Sequence, residues 1–195
     1  MAKVFLDCGT HLGQGLRAIS KLEGIDKTWR IYSWEPNPYT YEANLKKNKN
    51  KNLNVTYYNK AVSTYNGEIE LMILRKKGKN YMGQGTTTLK VDDFANRERK
   101  QGQIHKQIKI PCIDFLQFIE KNTQSSDEII IKLDIEGAEY TILEHLLPSN
   151  VANRIKKIYV EWHGYALHNK ENYDVRQANI EQLSKQRNIE IINWH

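Results

Sequence analysis

The segment Ile129–Leu147, IIIKLDIEGAEYTILEHLL, constrains the fold more than any other stretch of the chain. Ile129, Ile130 and Ile131 follow one another without alternation, the pattern of a strand covered on both faces. Gly137 interrupts that pattern. From Ala138 onward, Ile142, Leu143, Leu146 and Leu147 recur at helical spacing. Asp134 and Glu136 stand in the turn between, at the carboxyl end of a central parallel strand. Open α/β sheets bind their ligands at that edge. A structural role at the helix start is the competing reading. Two acids and a glycine at one strand end favour function.

Similar units run along the whole chain. Val4–Asp7 reads as a short buried strand and Gly13 to about Leu22 as a helix. Arg30–Glu35 reads as a strand, then Pro38 to about Lys47 as a helix capped by Asn37. Val55–Val62 reads as one strand. Asn66-Gly67 gives a hairpin signal before the alternating Glu68–Leu74. Arg75–Lys106 is polar and charged, and reads as a flexible excursion with a short strand near Thr87–Val91. Ile108–Pro111 is a further strand and Ile113–Lys121 a helix. After the Ile129 unit come a strand at Ile155–Glu161, a helix at Asp174–Gln186 and a last strand at Ile189–Trp194. This alternation predicts an α/β fold with a doubly wound, mostly parallel sheet. It fits a single domain over residues 1–195, with the excursion at about 75–106.

Composition narrows the classes. The chain has 195 residues, 39% of them hydrophobic and 27% charged, enough for a substantial core and unlike a disordered chain. No apolar run has membrane-spanning length. The opening MAKVFLDCG lacks the basic-then-apolar order of a signal peptide. Cys8 and Cys112 are too few for a disulfide framework, so a reducing, cytoplasmic setting is expected. The net charge of +6 is concentrated in Lys46–Lys51 and Arg75–Lys79, which read as solvated faces before they read as a nucleic-acid site.

Two further turns carry chemistry. Asp7-Cys8-Gly9-Thr10-His11-Leu12-Gly13-Gln14-Gly15 joins the first strand to the first helix. Gly9 permits a tight turn, Gly13 a close approach to the backbone, and the helix start offers free N–H groups. The spacing is not G-x-G-x-x-G, which argues against a dinucleotide fingerprint. Cys8 reads as a small buried residue rather than a nucleophile. The second strand ends in Trp34-Glu35-Pro36-Asn37-Pro38. An acid there is placed to accept both hydroxyls of a nucleoside ribose.

From FLDCGTHLGQG through SWEPNPYTYEANLKKN and KLDIEGAEYTILEHL to IYVEWH, the chain resembles the FkbM family of class I S-adenosylmethionine-dependent methyltransferases. The resemblance implies a Rossmann-like sheet, here ending after a sixth strand and so lacking the usual terminal antiparallel one. It implies that Asp7, Gly9 and Gly13 line the methionine and ribose part of the cofactor, that Glu35 holds the ribose hydroxyls, and that Asn37 and Ala61 approach the adenosine. It places Asp134 near the methyl donor and Glu136 beside it. His163, two residues past Glu161, is a candidate general base, since an imidazole titrates near neutrality. Thr86 and Thr87, in the segment GQGTTTL, are expected acceptor contacts, with Glu161 and Tyr165. His168 and Tyr173 are weaker candidates for the same wall. Asp134, Glu136, Glu161 and His163 also form a candidate Mg²⁺ or Mn²⁺ site. The implied activity is O-methylation of a sugar, glycan or glycosylated small molecule. A nucleic-acid methyltransferase and a catalytically silent, cofactor-binding partner subunit are the rivals.

Overall fold

The strand Lys3–Cys8 (β1) lies at the centre of the sheet, and its residues alternate between two cores. In this computed structural model, residues 1–47, 50, 52–76, 86–89, 103–166 and 170–194 are described. Val4, Leu6 and Cys8 join one buried cluster, and Phe5 joins the other. β1 pairs in parallel with Arg30–Trp34 (β2) on one side and Glu128–Leu133 (β7) on the other. Val55–Tyr58 (β3) extends the sheet beyond β2, while Ile155–Val160 (β8) and Glu190–Asn193 (β9) extend it beyond β7. The order β3-β2-β1-β7-β8-β9 therefore runs outward in both directions from β1. The boundary between β1 and β7 is the topological switch point, where such sheets open a crevice at their carboxyl ends.

Helix Gln14–Leu22 (α1) covers one face through Leu16 and Ile19, packed on Phe5, Ile31 and Ile130. Helices Phe115–Asn122 (α3) and Glu139–Leu146 (α4) and the long helix Lys170–Gln186 (α5) cover the other. Their Phe115, Ile119, Ile142, Leu143 and Ile180 pack against Val4, Leu6, Ile129 and Ile131. Helix Pro38–Lys47 (α2) follows β2 and begins where the Asn37 side chain accepts the Tyr39 N–H at 3.1 Å. No helix among the described residues is long and apolar enough to cross a membrane.

Four sequence expectations need correction. Val55–Val62 is two strands, because the Asn59 amide donates to the carbonyls of Glu35 and Pro36 at 2.8 and 3.1 Å and turns the chain. The second piece, Ala61–Ser63 (β4), belongs to a separate sheet of order β4-β6-β5. Gly67–Lys76 (β5) pairs antiparallel with Gln103–Asp114 (β6), so Asn66-Gly67 does not join two neighbouring strands. Instead Asn66 Oδ1 accepts the Asp114 N–H at 3.1 Å. β5 and β6 run into the two ends of the segment 75–106 expected as an excursion; residues 77–85 and 90–102 lie outside the described residues. Of the strand expected at Thr87–Val91, Thr87 forms an isolated antiparallel bridge with Met72. β9 pairs directly with β8 in parallel, and no antiparallel strand joins the larger sheet among the described residues.

Candidate active site

Parallel register brings the first charged group into place. Asp7 on β1 is level with Ser33 on β2 and with Lys132 on β7. Its carboxylate is fully buried, and Oδ2 accepts the Ser33 hydroxyl at 3.1 Å. Oδ1 makes no hydrogen bond and lies 3.6 Å from Lys132 Nζ. Lys132, only 1% exposed, also pairs with Asp134 Oδ2 at 3.1 Å and donates to the Gly9 carbonyl at 2.8 Å. Burial opposes its charge, but Asp134 and Asp7 overcome that and hold its pKa above the ordinary lysine value. The sequence reading missed Lys132. The signal was present: a lysine inside Ile-Ile-Ile-Lys-Leu, on a strand covered on both faces, has to find an internal anion.

The glycines of the first turn make this packing feasible. Gly9 has φ 79°, and a Cβ there would lie 1.8 Å from the Asp134 carbonyl oxygen. A Cβ on Gly15 would meet Lys132 Cε at 2.4 Å. Gly13 also has φ 77°, but its close neighbours are the side chains of Arg17, Asn50 and Asn44. Gly9→Ala is expected to cost about 3 kcal/mol. Of this, about 1–2 kcal/mol comes from the left-handed backbone and the rest from displacing the Asp134 turn. A urea midpoint equal to wild type would refute this account of the turn.

Glu35 sits just past β2 and is buried. Its Oε2 accepts the His11 N–H at 2.7 Å and its Oε1 the Asn37 N–H at 2.9 Å. Burial pushes its pKa up to about 7, against the pull of those two N–H groups and of Lys132. Asn37 Nδ2 donates to Thr86 Oγ1 at 3.2 Å. Thr87 Oγ1 donates to the Glu136 carbonyl at 2.9 Å, and the residue is 2% exposed. Thr87, one of the expected acceptor contacts, thereby anchors its segment. Ala61, expected near the adenosine, packs with Leu71, Ile110 and Cys112 in the core of the second sheet.

The turn after β7 is shaped by a residue that received no role at the sequence level. Glu139, fully buried at the start of α4, accepts the Ile135 N–H through Oε1 at 2.8 Å and the Gly137 N–H through Oε2 at 2.9 Å. Glu136 between them takes φ 56°, a conformation non-glycine residues seldom adopt. The second acid of the Glu-Gly-Ala-Glu segment was the available signal. Glu139 Oε1 also lies 3.0 Å from Nδ1 of His163, which follows β8. Burial opposes a charged imidazole there. The bond to Glu139 and the charges of Glu139, Glu136 and Asp134 outweigh it and raise the pKa to about 9. Nε2 of the same ring is 3.6 Å from Glu136 Oε2 and 3.7 Å from Glu161 Oε1. Burial, then Asp134, raises the pKa of Glu161.

Asp7, Glu35, Asp134, Glu136, Glu161 and His163 therefore converge at the carboxyl ends of β2, β1, β7 and β8. Tyr165 is 67% exposed beside His163, with ring centroids 6.2 Å apart. Tyr173 packs against Tyr140 and under Arg176, and His168 lies outside the described residues. Of the four candidate metal ligands, Asp134, Glu161 and His163 offer atoms within 4.8 Å of one another. Cys8 is buried, which holds its thiol pKa well above the usual value and leaves it unreactive.

Comparison with known proteins bears on the fold and the family. A crystal structure described as methyltransferase FkbM from Methylobacillus flagellatus KT matches with a TM-score of 0.50 at 12% identity. The match covers 93% of this chain but 37% of that one, so this chain spans well under half of that protein's length. At that identity the likeness concerns the fold. Curated protein sequences give no match. The family model for the methyltransferase FkbM domain matches residues 7–187, nearly the whole of the sheet and its site, and the chain belongs to the FkbM methyltransferase family.

Proposed function

We propose that this chain is an S-adenosylmethionine-dependent O-methyltransferase acting on a hydroxyl of a sugar, glycan or glycosylated small molecule. The observation that carries the reading is the set of carboxylates at the switch point: Asp7, Glu35 and Asp134 around a glycine turn that bears unsatisfied polar atoms. Asp7 Oδ1 and Thr10 Oγ1 are buried there without a hydrogen bond, as befits a cradle for a polar ligand. Glu35 is fixed by two backbone N–H groups and keeps further lone pairs for ribose hydroxyls. Asp7 and Asp134 outnumber Lys132, which suits a cationic sulfonium. Bound there, the cofactor supplies an electrophilic methyl group.

The chain's own task is then to hold the acceptor in line, which supplies much of the rate in a displacement of this kind. Asp134, Glu136 and Glu161 form a wall that accepts hydrogen bonds from hydroxyls. The same wall repels phosphodiesters, which favours a polyol over a nucleic acid. His163, held through Nδ1 by Glu139, takes a proton from a hydroxyl only in its neutral form.

Two measurements test this. S-adenosylmethionine and S-adenosylhomocysteine at 100 times their dissociation constants are expected to add about 2.7 kcal/mol, hence a rise in Tm of roughly 5–10 °C. Labelled methyl should then appear on a saccharide hydroxyl. Stabilisation by NAD alone would overturn the reading. Label on RNA, or binding without turnover on any acceptor, would replace it with one of its rivals.

A further inference from the structure

His163 is better built than a proton acceptor requires. Its ring is 3% exposed and is held from behind by Glu139, whose two oxygens are themselves fixed by the N–H groups of Ile135 and Gly137. The ring cannot swing without breaking that chain of contacts. Nε2 is thereby aimed into the space between Asp134 and Glu161. Two carboxylate oxygens, Glu136 Oε2 and Glu161 Oε1, stand at 3.6 and 3.7 Å from it, at ion-pair rather than hydrogen-bond distance.

Ligand atoms about 2.1 Å from a shared ion stand at most about 4.2 Å apart, so atoms gathered within 4.8 Å need a side-chain adjustment of at most about half an ångström to share one. Asp134, Glu161 and His163, from two adjacent strand ends, offer one atom each within 4.8 Å. A buried carboxylate behind a histidine is also the usual arrangement for fixing a metal-binding imidazole and its tautomer. We propose that Asp134, Glu161 and His163 form a divalent-cation site, oriented by Glu139.

The two carboxylate oxygens suit Mn²⁺, and the imidazole adds a nitrogen donor of the kind first-row divalent ions take. Three protein ligands leave positions open, and two neighbouring hydroxyls of an acceptor would fill them. That role names a vicinal diol as the substrate class and rests on the methyl-transfer reading; the cation site itself rests on the geometry alone.

Mn²⁺ titrated into the full chain without any methyl donor, followed by the electron paramagnetic resonance of free Mn²⁺, separates the two. The expected result is one ion per chain, with affinity reduced at least about tenfold in Glu161→Gln and in His163→Gln. Glu161 is the more exposed of the two, so its variant guards against misfolding as the explanation. Glu35→Ala should keep the site. No binding by wild type, or binding unchanged in both Glu161→Gln and Asp134→Asn, would overturn the proposal. Mn²⁺ binding without any stabilisation by S-adenosylmethionine would remove the methyl-transfer reading and leave the cation site standing. Cofactor binding without Mn²⁺ binding would do the reverse.

Discussion

Lys132→Met is expected to destabilise the protein by about 3–5 kcal/mol, a large share of the 5–15 kcal/mol that holds a typical domain together. Methionine fills much of the same channel beside Gly15, so little packing is lost. What is lost is the cation between two carboxylates. Asp7 is fully buried, and its Oδ1 has no hydrogen bond and, among the described residues, only Lys132 within ion-pair distance. Asp134 is 26% exposed and can turn toward water, so the cost falls mainly on Asp7. The Gly9 and Cys8 carbonyls also lose their donor. Urea unfolding at neutral pH checks this. The double variant Lys132→Met/Asp7→Asn should recover part of the loss, because it removes the charge left unpaired. A single variant as stable as wild type would show that Asp7 does not depend on Lys132.

Affinity for S-adenosylhomocysteine is expected to fall about tenfold for each pH unit below about 7 and to level off above it. The sign follows from Glu35. Its pKa is about 7 in the free protein, raised by burial, so the carboxylate is progressively protonated as the pH drops. Ribose hydroxyls donate to the ionised form, and binding must first drive that proton off. Glu35→Ala should weaken binding at least about 100-fold at alkaline pH, the loss of two hydrogen bonds to a charged acceptor, and should flatten the pH dependence. Calorimetric titration at several pH values decides it. A variant that binds as wild type would take the ribose role away from Glu35. A steep pH dependence that survives the substitution would assign it to another group.

The parts of this site that were legible in the sequence are those where chemistry is written locally. Asp7 before a glycine turn, Glu35 before proline and the acids of Asp134–Glu136 all mark strand ends, and the structure places them there. What escaped depends on distant partners. VTYYNKAV is a continuous strand pattern, and only the carbonyls of Glu35 and Pro36, captured by Asn59, divide it. Ala61 followed β4 into the other sheet for the same reason. Glu139 received no role, because its part in the site depends on His163, which lies on another element. The bond from the Thr87 hydroxyl to the Glu136 carbonyl is another such long-range contact.

The central position of β1 bears on how the chain is made. Its partner β7 lies far downstream: the Ala2 N–H that donates to Asp127 at the start of that pairing spans 125 residues. At synthesis rates of roughly 5–20 residues per second, one edge of β1 waits about 6–25 s for its neighbour. During that interval β1, β2 and β3 present an apolar open edge in the nascent chain. Passage through the ribosome and its chaperones is thus the step at which this chain is most exposed to aggregation, and substitutions that slow translation between β3 and β7 should lengthen that exposure without altering the finished protein.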